Sequence, residues 1–338
     1  MTSSTHVSAR ADRLQSPLLQ VEDLHVLVNR ETPLIEGLSL TVSSGETVAI
    51  VGESGCGKSL TALAIMGLLP DVLTASMRGS IRFAGQDLTR LPQREMNRLR
   101  GNRIAMIFQE PLTALHPIMT VGAQITEVLH AHRGINKADA RTRAVELLRM
   151  VGLPDAEARL VDYPHRLSGG MRQRVTIAIA MACEPDLIIA DEPTTALDVT
   201  VQARILDLLA DLQKRTGMGL MLITHDLGVV RQVADRMIVM YAGSVVEAGP
   251  VETVLSSPRH PYTAGLVSAR PHGSFQADGQ RLSDIPGVVP APEARPSGCL
   301  FEPRCSRAER DCRRARPALR DEAVGRSFRC LHPVEMEV

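Results

Sequence analysis

The eight residues from Gly52 to Ser59, GESGCGKS, restrict this chain more than any other stretch. Before them, TVAIV from Thr47 to Val51 is short, apolar and β-branched, as in a buried strand; after them, LTALAIMGLL has the apolar content of a packed helix. Strand, glycine loop, helix is the setting in which backbone N–H groups curl inward around phosphate oxygens. Gly52, Gly55 and Gly57 permit the curl, Lys58 adds a point charge for the β- and γ-phosphates, Ser59 offers a hydroxyl to Mg²⁺, and the helix N-terminus supplies a favourable dipole. Glu53, Ser54, Cys56 and Leu60 complete the expected nucleotide-binding stretch. Because Cys56 lies at a helix N-terminus, its thiol pKa is expected to be lowered.

The rest of the composition excludes more than it selects. With 338 residues the chain can bury a sizeable core and has room for two domains, or one with an appendage. Lys plus Arg and Asp plus Glu both number 38, so no overall field draws it to nucleic acid or an anionic bilayer. An aromatic content of 2% leaves few stacking platforms for single-stranded bases. The longest nearly apolar run, Val175 to Cys183, is about half the ~20 residues a spanning helix needs, so work at a membrane would require another chain to cross it. Residues 1–16 are polar and lack the apolar segment of a secretory signal; they are expected to form a disordered extension. Six cysteines without a signal point to a reducing compartment, where grouped thiols bind metal more often than they pair.

Along the chain, Leu18 to Val28 and Leu34 to Val42 read as strands, and GSIRFAGQDL as a hairpin strand. From about Leu91 to Pro185 most segments read as helices, among them one with Ala144, Leu147, Leu148 and Val151 on a single face before Gly152. Strand texture returns at Leu187 to Asp191, Leu220 to Thr224 and Arg236 to Gly243. The intervening helix carries Ile205, Leu208, Leu209 and Leu212 on one face and stops at Gly217. Apolar strands separated by helices imply a parallel sheet covered on both faces. The expected fold is therefore α/β: a P-loop NTPase core with an antiparallel β subdomain, a helical insertion and a small Cys-rich C-terminal module. Asp191 and Glu192 end the strand LIIAD at the edge where a P-loop ligand lies; Asp191 suits Mg²⁺, and Glu192 suits polarising a water for in-line attack on the γ-phosphate.

LSGGMRQRV, Leu167 to Val175, makes the chain resemble the ATP-binding subunit of ABC transporters, whose signature sequence it matches. Gln109 resembles that family's Q-loop glutamine, Ala196-Leu197-Asp198 its D-loop, and His225 its switch histidine, in the family's order over about Leu18 to Ser256. The resemblance implies that Glu192, His225 and Gln109 act in catalysis and that Ser59, Gln109 and Asp191 serve Mg²⁺. Ser168, Gly169, Gly170 and Asp198 would contact ATP across a dimer interface. Ser168 to Gly170 form a second anion-binding turn, while the chain has one lysine-bearing cradle, so two subunits facing each other would sandwich each ATP. Losing the γ-phosphate would open the sandwich and move the helical insertion. Where the family usually stacks an aromatic residue on adenine, this chain has Val28, which predicts weaker or less base-selective binding.

The C-terminal stretch, from PRHPYTAGLVSARP through IPGVVPAP to GCLFEPRCSRAERDC, resembles the oligopeptide/dipeptide branch and its nickel-related neighbours. Cys299, Cys305, Cys312 and Cys330 follow C-x5-C-x6-C-x17-C, which is neither a zinc ribbon nor a ferredoxin run. Nine Arg against five acidic residues between Cys299 and Cys330 would offset the roughly −2 charge of either a Zn(Cys)₄ or a [4Fe–4S](Cys)₄ centre. Charge alone does not choose; the resemblance implies a [4Fe–4S] cluster, with zinc or free thiols as alternatives. It also implies residues 17–270 as the ATPase domain, its helical part about 91–185, and 271–338 as the C-terminal module. Two transmembrane permease subunits, a second ATPase subunit (related or identical) and an extracytoplasmic substrate-binding protein would be the partners. The chain would sit peripherally on the cytoplasmic face of the plasma membrane, importing di- or oligopeptides, or nickel or another small solute. A DNA-repair or chromosome ATPase of the same superfamily would need a basic surface, a long coiled coil or a second P-loop, which the sequence lacks.

Overall fold

A computed structural model describes residues 17–195, 197–269, 285–322 and 325–335; the expected N-terminal extension, residues 1–16, lies outside them. In chain order the strands are β1 (Leu19–Val28), β2 (Thr32–Val42), β3 (Thr47–Val51), β4 (Arg78–Phe83), β5 (Gln86–Asp87) and β6 (Ile104–Ile107). There follow β7 (Leu187–Asp191), β8 (Gly219–Thr224), β9 (Arg236–Tyr241), β10 (Ser244–Pro250), β11 (Arg320–Glu322) and β12 (Arg326–Phe328).

These strands build two sheets. The smaller is antiparallel, in the order β2-β1-β4-β5; the larger runs β11-β12-β10-β9-β3-β8-β7-β6. In the larger sheet β3 is parallel to both β8 and β9, β8 to β7, and β7 to β6. Every residue of β3, β7 and β8 is buried, which explains their unbroken apolar sequences: both faces of a parallel sheet are covered.

Between β6 and β7 the helices Val121–Arg133, Lys137–Met150 and Gly169–Ala180 pack together. Ala144, Leu147, Leu148 and Val151, the expected apolar face, are fully buried beside Ile125 and Ile177. Asn136 starts the second of these helices by accepting from the Asp139 N–H, and Gly152 adopts φ 69° just beyond its end, a left-handed turn that glycine tolerates best. The helix Val199–Thr216 is likewise capped by Asp198 and stopped at Gly217, φ 71°.

Two expectations need correction. The stretch from Leu91, read as mostly helical, also contributes β6; IAMI is too short for its buried face to separate strand from helix by periodicity. The C-terminal segment is not a separate appendage, because β12 pairs with β10 at Glu247↔Phe328 and Ala248↔Ser327 and so extends the larger sheet. Arg326 of β12 and Glu247 of β10 form a buried ion pair. Neither β10 nor these two short C-terminal strands was expected from the sequence.

Candidate nucleotide site

The glycine loop joins β3 to the helix Lys58–Ile65. At Gly52 a Cβ would lie 2.2 Å from the Met240 carbonyl oxygen and 2.7 Å from Cys56 Sγ, so the close approach of β9 demands glycine. Gly57 caps the helix at φ 100°. Lys58 is buried, and its Nζ donates to the carbonyl oxygens of Gly52 (2.8 Å) and Glu53 (3.0 Å). Ser59 Oγ donates to Asp191 Oδ1 at 3.0 Å, which brings the P-loop and the end of β7 together. Burial pushes the Asp191 carboxyl above the ordinary carboxylate value, against the lowering effect of the Ser59 hydrogen bond.

Glu192 follows at φ 45°, left-handed for a residue with a Cβ and therefore strained, as at many sites of function. Its backbone N–H donates to Ile223 O. Its carboxylate accepts from Gln109 Nε2 (3.2 Å) and Thr195 Oγ1 (2.8 Å) and lies 3.4 Å from His225 Nδ1. Gln109, Glu192 and His225, spread over 117 positions, thus converge at the carboxyl ends of β6, β7 and β8. One cleft is lined by Ser54, Gly55, Gly57, Lys58, Ser59, Leu60, Gln109 and Glu192. Hard oxygen donors on Ser59 and Asp191 beside that cleft fit Mg²⁺.

The signature residues stand elsewhere. Ser168 caps the helix Gly169–Ala180, its Oγ accepting from Met171 N–H at 3.3 Å. Gly170 packs on the start of the next long helix, where a Cβ would reach Val201 Cγ1 at 2.7 Å, and Gly169 faces Leu197 just before it. Asp198 accepts from Val201 N–H at 2.9 Å. None of these four residues lines the P-loop cleft, and Ala196 lies outside the described residues.

Cys56 departs from expectation. It is fully buried, 3.8 Å from Lys58 Nζ, and burial pushes its thiol pKa up more than the lysine lowers it. Desolvation outweighs the helix terminus, so the thiol stays protonated at neutral pH. Val28 is half-buried opposite Thr32 and does not line the cleft. Leu34, Pro292 and Arg295, which no motif marked, do line it.

Cys299, Cys305, Cys312 and Cys330 line one small enclosed pocket together with His260 and Phe301, and Cys299 N–H donates to Cys312 O at 2.7 Å. Burial raises the thiol pKa values of Cys299 and Cys305, and that of Cys330 to about 11. Among the described residues, the group of ligand-type side chains lying within 4.8 Å of one another is Asp311, Cys312 and His332, not the four thiols. Part of the arginine surplus is also directed elsewhere. Arg304 Nη1 donates to both carboxylate oxygens of Glu53 at 3.1 and 3.0 Å, Arg316 pairs with Glu36, Arg326 with Glu247, and Arg329 donates to Val245 O. These contacts fasten the segment to the core; Arg307 is the arginine among the residues lining the thiol pocket.

Comparison with known proteins agrees with this geometry. The family model described as "ABC transporter" matches residues 35–195, and "Oligopeptide/dipeptide transporter, C-terminal region" matches residues 246–312. The chain is 50% identical over 319 residues to the oligopeptide transport ATP-binding protein AppD of Bacillus subtilis (strain 168), covering 94% of this chain and 97% of that protein. It is 50% identical over 321 residues, with the same coverage, to the dipeptide transport ATP-binding protein DppD of Escherichia coli (strain K12). The dimeric post-hydrolysis structure of the ATP-binding cassette MJ0796 bound to ADP and Pi superposes with a TM-score of 0.61 at 29% identity, covering 69% of this chain and 98% of that one. Among the described residues no helix is long and apolar enough to cross a membrane. With a phosphate loop, acidic strand end and signature helix in one mixed α/β fold, and half-identity to such subunits along nearly its whole length, this chain belongs to the ATP-hydrolysing subunits of ABC transporters, in the oligopeptide/dipeptide branch.

Proposed function

We propose that the chain powers import of di- or oligopeptides through two separate permease subunits, working as one of a pair of ATPase subunits on the cytoplasmic face of the plasma membrane. An extracytoplasmic binding protein delivers the solute. The observation that carries this reading is the division of the nucleotide machinery. Lys58, Ser59, Gln109 and Glu192 share one cleft, while Ser168, Gly169, Gly170 and Asp198 stand outside it. A second subunit facing this one would bring its signature turn over the cleft, and loss of the γ-phosphate would release it. Residues 17–270 act as the ATPase domain, the helices between β6 and β7 receive the permeases, and residues 271–338 form a C-terminal module joined to that domain through the pairing of β12 with β10. Ser59, Asp191 and Gln109 would hold Mg²⁺, which neutralises charge developing on the phosphates. Glu192 positions and deprotonates the attacking water, and His225 steadies the γ-phosphate end. Co-purification with permease chains and peptide-stimulated turnover in vesicles is the expected result; stimulation by a nickel chelate alone, or retention on DNA, defeats the peptide reading.

Asp191 separates stability from activity. A carboxyl whose folded pKa is raised binds more protons folded than unfolded, so the isolated chain loses stability as pH rises from the ordinary carboxylate value through the raised one. Asp191→Asn is therefore expected to melt no lower than the parent at neutral pH, while Mg²⁺ affinity falls about 10- to 100-fold. A lower melting temperature with unchanged Mg²⁺ dependence contradicts both.

For the four cysteines we infer a [4Fe–4S] cluster. One pocket gathers all four side chains, and a donor set of four thiolates suits a four-iron core. Such a centre would cross-link the segment, in a structural role. Anaerobic purification is expected to yield brown protein with about four iron and four sulfide; colourless protein with stoichiometric zinc overturns the assignment.

A further inference from the structure

The nucleotide cleft has two ends, and the sheet order tells them apart. Gln109 and Glu192 enter from the ends of β6 and β7, which lie beyond β8 on one side of β3. Arg295 enters from the other side, where β9 and β10 lie: a Cβ on Gly243, in the turn between those strands, would sit 3.0 Å from Arg295 Nη1. The phosphates occupy the loop between. A nucleotide with its γ-phosphate at Glu192 therefore extends its ribose and base toward Arg295, Leu34 and Pro292.

No aromatic ring lines this cleft among the described residues. We propose that Arg295 is the base-recognition residue, its guanidinium plane stacking on adenine between Leu34 and Pro292 and supplying the contact that Val28 cannot. The inference rests on the reading that the cleft binds ATP. Arginine suits the role because its planar cation stacks on aromatic rings, which lysine does not reproduce.

The side chain is held in place for it. Arg295 donates through Nη1 to Pro33 O at the start of β2, whereas its buried Nε has no hydrogen-bond partner among the described residues. The backbone around it is fastened by Arg316, which donates to Pro296 O and pairs with Glu36 of β2. Burial lowers the Arg295 pKa, but an arginine guanidinium remains charged at neutral pH. The C-terminal segment thus furnishes one wall of the ATP site.

The test compares two ligands on the full chain with Mg²⁺: ATP, and inorganic tripolyphosphate, which has no base. Arg295→Ala is expected to weaken ATP binding about tenfold, within the range for loss of one base stack, and to leave tripolyphosphate binding within about twofold. Arg295→Lys, which keeps charge but not the plane, is expected to lose ATP affinity comparably. Equal weakening of both ligands assigns Arg295 to the phosphates or to the fold and overturns the proposal, as does unchanged ATP affinity in Arg295→Ala or full retention in Arg295→Lys. A parent chain that binds neither ligand refutes the ATP reading itself, a result distinct from a parent that binds both and a variant that changes nothing.

Discussion

Glu192→Gln is expected to slow ATP turnover on the order of a thousandfold, the range for loss of a positioned general base, while nucleotide binding persists. The expectation follows from where the carboxylate is held. Its side chain is 15% exposed and its backbone is fixed at φ 45°, while Gln109, Thr195 and His225 all approach the same oxygen, Oε2. An amide of the same shape still accepts from Gln109 or Thr195, so local structure survives. What disappears is the ability to take a proton from water. ATP should then trap the subunits together, since the γ-phosphate linking them is not cleaved. Rapid-quench measurement of phosphate release and size-exclusion chromatography with and without ATP would show both effects. Turnover within about tenfold of the parent removes Glu192 as the base; slow turnover without an ATP-dependent dimer removes the sandwich.

The parts of this site that the sequence disclosed are those whose chemistry depends on short local spacing. GESGCGKS carries its three glycines, lysine and serine together, and the Met240 carbonyl packed against Gly52 adds a steric reason for the first of them. LIIAD announces a buried strand because both of its faces are covered, and Asp191 and Glu192 follow at its end. Contacts set by tertiary packing alone were not legible. Arg295 is 237 residues from Lys58 and belongs to no motif, yet it shares a cleft with it. Arg304 was counted only as charge near the cysteines, whereas its guanidinium reaches back to Glu53 in the phosphate loop. The raised thiol pKa of Cys56 is not legible in the sequence, because a helix N-terminus is visible there and the depth of burial is not. Short strands such as β6, β11 and β12 offer too few residues for alternation to declare itself.

The same packing makes the C-terminal segment decisive for stability, and Arg326→Met is expected to destabilise the chain by about 3–5 kcal/mol. Arg326 and Glu247 have side-chain exposures of 4% and 0%. The Glu247 carboxylate also accepts from the backbone N–H groups of Arg259 and His260, at 2.9 Å each, so it joins β10, β12 and the entry to the helix Pro261–Ser268. Methionine fills much of the volume but leaves a buried carboxylate with no countercharge from β12. Neutralising the survivor tests that account: Glu247→Gln added to Arg326→Met keeps an acceptor for both N–H groups and should recover at least half of the loss. Because β12 extends the same sheet that carries β3 and the phosphate loop, the single variant should melt in one transition, about 10 °C lower, with ATP protecting parent and variant alike. An early partial transition that leaves ATP affinity untouched would mean that the segment hangs from the ATPase as an independent unit. A loss below about 1 kcal/mol would mean that water reaches Glu247 and that the pair carries little of the fold.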